Sequence, residues 1–87
     1  MKVYIPTPMR SYTNKKSVVE AEGPTVGAVL EKIERRYPGF RFRIIDEQGA
    51  IRRHIKIFIN ETPIRNLEAA SQPGDAVHIV CALSGGI

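Results

Sequence analysis

The sequence is poor in cysteine, histidine and aromatic residues, and it contains no long apolar run. The single cysteine, Cys81, excludes an internal disulfide framework. Together with two distant histidines, it supplies no metal-ligand spacing. No apolar stretch approaches the length of a membrane span. The opening MKVYIPTPMR is apolar for too few residues to act as a signal peptide, and Pro6 and Pro8 interrupt it. No block of five like charges marks a basic or acidic tail. Internal repeats, linkers and low-complexity tracts are also missing. The expectation is a soluble cytoplasmic protein with neither membrane nor nucleic acid among its partners.

What remains is a chain of 87 residues, enough for one domain with a modest core. Hydrophobic residues at 43% against charged residues at 25% indicate a globular rather than a disordered chain. The net charge of +4 comes from scattered basic residues, which suit an acidic protein surface as well as they suit a phosphate backbone.

Periodicity divides the chain into elements. KVYIP alternates, with Val3 and Ile5 on one face and Lys2 and Tyr4 on the other, and SVVEAE returns as a second strand after the polar, turn-rich RSYTNKK. Between Thr25 and Tyr37, residues Val26, Val29, Leu30, Ile33 and Tyr37 recur at helical spacing, with Thr25 as the N-cap and Pro38-Gly39 as the stop. Phe40, Phe42 and Ile44 alternate with arginines and predict a strand or extended arm over 40–45, with Phe40 and Phe42 readable equally as core residues or as exposed stacking platforms. DEQG is a turn. Ile55, Ile57 and Ile59 predict a strand over 55–59, and NETPIRNLEAASQPGD reads as turn, short segment and turn, with Asn60 as a turn-former. AVHIVCAL is a last strand that places Val77, Ile79, Cys81 and Leu83 on one face and His78, Val80 and Ala82 on the other. One helix and several strands in this order make an α+β roll, with the first and last strands parallel at the centre.

The end of the chain, LSGGI, carries the sharpest motif. Two adjacent glycines pack nothing and cost entropy to order, so their use after an apolar strand calls for a reason. Three segments together resemble the ubiquitin-like sulfur carriers of the MoaD/ThiS family: TVGAVLEKIERRYPG, IKIFINETPIRNL and QPGDAVHIVCALSGG. The opening Ile5-Pro6-Thr7 and the longer insertion over 40–54 are most similar to carriers that feed sulfur to cysteine or homocysteine synthesis; molybdopterin and thiamine pathways are the alternatives. The resemblance covers nearly the whole chain. It implies a single ubiquitin-like β-grasp domain over 1–87, with a mixed sheet of four to five strands on one main helix and a flexible tail over 83–87.

The same resemblance implies a chemistry. The carboxyl of Gly86 is adenylated by a ubiquitin-activating-type adenylyltransferase that uses ATP. A sulfur donor then displaces AMP, and the thiocarboxylate delivers sulfur to an accepting synthase. Leu83, Ser84 and Gly85 thread the tail into the partner. The chain itself binds no cofactor and is a protein co-substrate, not an enzyme. Ile87 departs from the pattern: it is β-branched, stiff at its first side-chain torsion, and obstructs both threading and attack. The resemblance assigns its removal, at Gly86–Ile87, to a zinc metalloprotease of the JAMM type.

Outward-facing His78, Val80 and Ala82 stand where ubiquitin-like proteins dock their partners, and Phe58 joins them because it alternates away from Ile57 and Ile59. Cys81 shares the inward parity of Val77 and Ile79, which reads as a small core hydrophobe. Arg52, Arg53 and His54 read as a solvated turn or charged edge. Two other functions use the same residues differently. A protein modifier would join Gly86 to lysines, and a plain interaction domain would leave Ile87 in place and bind through its basic surface.

Overall fold

The computed structural model describes residues 1–82. Five strands form one mixed sheet: β1 (Lys2–Tyr4), β2 (Val18–Glu20), β3 (Ile55–Ile59), β4 (Thr62–Ile64) and β5 (Ala76–Cys81), in the order β2-β1-β5-β3-β4. β1 and β5 run parallel at the centre, with Val3 opposite Val77, and every other pairing is antiparallel. The expected N-terminal hairpin is present, with Lys2 opposite Glu20.

Helix α1 (Val26–Arg36) forms as its pattern dictates. The Thr25 hydroxyl accepts the Ala28 N–H at 3.2 Å, which satisfies one of the amide donors that a helix start leaves unpaired. Val26, Val29, Leu30 and Ile33 are fully buried and meet Val3, Ile57, Val77 and Ile79 from the sheet in one continuous core. Tyr37, the C-cap, is half-buried against that core. Burial of each aliphatic side chain contributes roughly 1.5–3 kcal/mol before entropy is charged against it.

Three expectations need correction. Residues Phe40–Ile44 are a short helix, α2, not a strand. Phe40 and Ile44 lie four apart and are buried, whereas Phe42 is 55% exposed and is not a core residue. The Glu34 carboxylate explains the choice: its two oxygens accept the backbone N–H groups of Gly39 at 2.9 Å and Arg41 at 2.8 Å, so α1 caps the start of α2. Second, the RSYTNKK stretch is mostly helical. A 3-10 helix spans Thr7–Thr13 and ends in left-handed Asn14 and Lys15. Buried Thr13 holds the turn, its hydroxyl donating to the Lys16 carbonyl at 2.9 Å. Third, Thr62–Ile64 is a true edge strand. Pro63 fits there because it faces Phe58 at a position where no ladder hydrogen bond is required of it.

Two turns at one end of the sheet are locked together. Asn60 (φ 56) ends β3, and Gly74 (φ 96) precedes β5. The Asn60 carboxamide accepts the Ala76 N–H at 3.0 Å and donates to Asp75 at 3.2 Å, while the Asn60 N–H donates to the Ala76 carbonyl at 2.7 Å. Asp75 also accepts the Gln72 N–H at 2.9 Å. The DEQG turn is likewise built around one carboxylate: Asp46 accepts the N–H groups of Gln48 and Ala50 at 2.9 and 3.0 Å.

Candidate functional site

Strand β5 positions the site because it lies between β1 and β3 and delivers the chain to its C-terminal residues. Its side chains alternate, with Val77 and Ile79 buried, His78 half-buried and Val80 44% exposed. The last backbone bond in this region runs from the Ala82 N–H to the His54 carbonyl at 2.7 Å. Leu83, Ser84, Gly85, Gly86 and Ile87, which the sequence singles out for threading, adenylation and processing, lie outside the described residues.

Register brings the proposed docking residues together. His78 lies opposite Phe58 on β3 and opposite Tyr4 on β1, and Phe58 lies opposite Pro63 on β4. Tyr4, His78, Phe58 and Pro63 therefore form one row across four strands, on the face turned away from α1. The Tyr4 and His78 rings stack at 4.6 Å, 6° from parallel. Val80 stands one step along β5 toward the tail, opposite Lys56, and exposed Ala82 follows it. The result is a mixed aromatic and aliphatic surface next to the root of the tail, with Lys56 at its margin.

Sequence reasoning missed Tyr4. The alternation in β1 turns it outward, but only the parallel register of β1 on β5 shows that it lands on His78. At 37% exposed, its ring is the flat end of the row.

Cys81 has the inward parity expected of it, yet it is only half-buried, packed at the margin of the core. It borders a cleft of about 460 Å³ that also touches His54, Met9 and Tyr12. Two arginines cover that cleft's aromatic walls: Arg43 stands 5.2 Å from the Tyr12 ring, and Arg52 stands 4.6 Å from the Phe42 ring while donating from Nε to the Phe42 carbonyl at 2.8 Å. Arg52 is thus tied into the fold, whereas Arg53 and His54 are exposed. The folded DEQG turn displaces the titration of Asp46. Its carboxyl is held below its ordinary value of 3.8 by the Ala50 and Gln48 N–H groups, aided by the Arg52 charge. Among the described residues, no three His, Cys, Asp or Glu side chains gather as a metal-ion site, and no helix is long and apolar enough to cross a membrane.

Comparison with known proteins agrees with this geometry. The sulfur carrier protein CysO of Mycobacterium tuberculosis is 36% identical over 89 residues, covering 97% of this chain and 96% of that protein. A chain from the BexX/CysO complex of Amycolatopsis orientalis superposes with a TM-score of 0.90 at 33% identity, covering 94% of each chain. The small archaeal modifier protein SAMP1 of Methanosarcina acetivorans superposes at 0.80 with 26% identity, covering 98% of this chain and 94% of that one. The fold is therefore the ubiquitin-like β-grasp that the sequence resemblance implied. The pattern of the ThiS family matches residues 3–86, from the first strand through the second of the paired glycines, and the chain belongs to the ThiS family.

Proposed function

We propose that this protein is a sulfur carrier whose working group is the carboxyl of Gly86. The observation that carries the proposal is the extent of the family match: it runs through Gly86 and stops one residue short of Ile87. Near-full-length identity to proteins named sulfur carriers supports the same reading.

The chemistry proceeds in three steps. Water cleaves the Gly86–Ile87 peptide bond and frees the Gly86 carboxylate. That carboxylate attacks the α-phosphate of ATP on the activating enzyme, releasing pyrophosphate and leaving an acyl-adenylate. A sulfur nucleophile attacks the acyl carbon and AMP leaves: hydrosulfide gives the thiocarboxylate directly, whereas a donor persulfide gives an acyl disulfide that a second thiol reduces to the thiocarboxylate, leaving as a disulfide with the donor. Glycine suits these steps because its carbonyl carries no side chain to block attack, and its backbone passes a narrow channel in any conformation. With Ile87 removed, the four residues from Leu83 to Gly86 reach at most about 14 Å beyond Ala82, so the body of the domain must dock close to the partner's reaction centre. The row of Tyr4, His78 and Phe58, with Val80 and Ala82, supplies that docking surface beside the tail root. A carrier of this kind is a co-substrate, and the catalytic groups and the ATP site belong to its partners. Sulfur amino acid synthesis is the destination we favour, on the strength of the CysO likeness.

The test is the intact mass of the protein isolated from its own cells. Loss of Ile87, with an oxygen-to-sulfur exchange on part of the population, is the expected result. A chain that keeps Ile87 under sulfur limitation as well as in rich medium overturns the proposal. The likeness to SAMP1 favours one second reading, a modifier joined to lysines through Gly86. Conjugates that persist on a denaturing gel would establish it.

A further inference from the structure

Strand β4 is shorter than the strand it covers. It pairs with Ile57, Phe58 and Ile59 of β3, whereas β3 begins at Ile55. The backbone of β3 alternates sides. His54 and Asn60 bond toward β5, through Ala82 and Ala76, so the even-numbered residues face β5 and the odd-numbered ones face β4. Ile55 therefore points its backbone carbonyl past the end of β4, while its N–H is used locally by the Arg52 carbonyl at 2.9 Å. This uncovered edge opens into a groove of about 370 Å³. Its floor is aliphatic, with half-buried Ile51 and Ile64, and its rim carries Arg53, Lys56 and Arg65, all exposed. Among the described residues, no acidic side chain lines it, and none of these three cations has a carboxylate within ion-pair distance.

We propose that this groove docks an extended acidic segment of a partner protein, laid along β3 as a continuation of β4. Three observations define the occupant. The Ile55 carbonyl on the uncovered edge accepts one backbone N–H of an extended segment, the first contact of strand addition to a sheet. The aliphatic floor takes one or two branched apolar side chains. Three unpaired cations around a short apolar floor take carboxylates on either side of them, and they speed encounter as well as fix orientation. The groove lies at the strand edge and adjoins the outward row of Tyr4, His78 and Phe58 through Pro63 and Lys56, but its floor of Ile51 and Ile64 and its Arg53 and Arg65 lie outside that row. This inference does not depend on the chemistry at Gly86.

The probe is the peptide acetyl-Asp-Glu-Val-Ile-Val-Glu-Asp-amide, titrated into the full-length isotope-labelled protein and followed by amide chemical shifts. Saturable shifts confined to Ile55, Lys56, Ile64 and Arg65, weakening as salt is raised, are expected. The Arg53→Glu/Arg65→Glu double variant should weaken binding roughly tenfold or more, with the rest of its spectrum unchanged. Tyr4→Ala should leave binding unaltered. Equal binding of the Asn/Gln version of the peptide, shifts centred on Tyr4, His78 and Val80, or no saturable shift up to roughly millimolar peptide would each overturn the proposal.

Discussion

Tyr4 and His78 stack ring on ring across the parallel junction of β1 and β5, with centroids 4.6 Å apart. Each ring fixes the other, and the pair presents one flat surface beside Phe58. Offset aromatic pairs of this kind contribute about 0.5–1.5 kcal/mol beyond the area they bury. Tyr4→Ala and His78→Ala should each weaken binding to an activating enzyme about tenfold. The double variant should lose less than the sum of the two, because the residues act as a unit. Calorimetric titration of the four proteins checks this. Strictly additive losses would mean that the stack has no role in docking.

Removal of Gly86 and Ile87 together should leave the domain as stable as before, with a midpoint change under roughly 2 °C, because the core formed by the described residues is complete without them. Thiocarboxylate formation should vanish. Thermal unfolding and intact mass after incubation with the activating system report the two outcomes separately.

Asn60→Ala should destabilise the domain by about 1–3 kcal/mol. It removes the side-chain bonds to Ala76 and Asp75 and places alanine at a left-handed φ of 56. Asn60→Gly keeps the backbone freedom and loses only the side-chain bonds, so its loss should be smaller. Urea unfolding of both variants separates the two contributions; equal losses would show that the backbone conformation is unimportant.

Asp46 should make the DEQG turn sensitive to acid. Its carboxyl titrates below the unfolded value of 3.8 because the folded loop favours the charged form. The contribution is complete above that value and is lost as pH falls through the lower, folded one. Amide shifts of Gln48 and Ala50 should move in concert below about pH 4 in the wild type and stay flat in Asp46→Asn. A midpoint at or above 3.8 would mean that the two backbone N–H groups do not stabilise the carboxylate.

The sequence made β3, β5 and α1 legible, since each carries four or more apolar positions or an unbroken alternation. Thr25, Asn60 and the glycine before Asp75 were legible as caps and turns for the same local reason. α2 was not. In FRFRI the apolar residues at 40, 42 and 44 fit a period of two, and only three of them exist to count. The deciding interaction is the reach of Glu34 from another helix to two backbone amides, which no local pattern contains. The docking row was half legible: parity turned Phe58, His78 and Val80 outward, but Tyr4 joined them only through a register between the two ends of the chain. The groove was hidden because it arises from a difference in length between β3 and β4, which no local pattern contains.

The parallel pairing of β1 and β5 has a mechanical consequence. A partner that draws the tail into its own active site pulls β5 along its length. The ladders to β1 and β3 then carry that load in shear, and their hydrogen bonds must give way together rather than one after another. The domain can hold its shape under tension while its last residues are worked on, like a bead that stays whole when its thread is pulled.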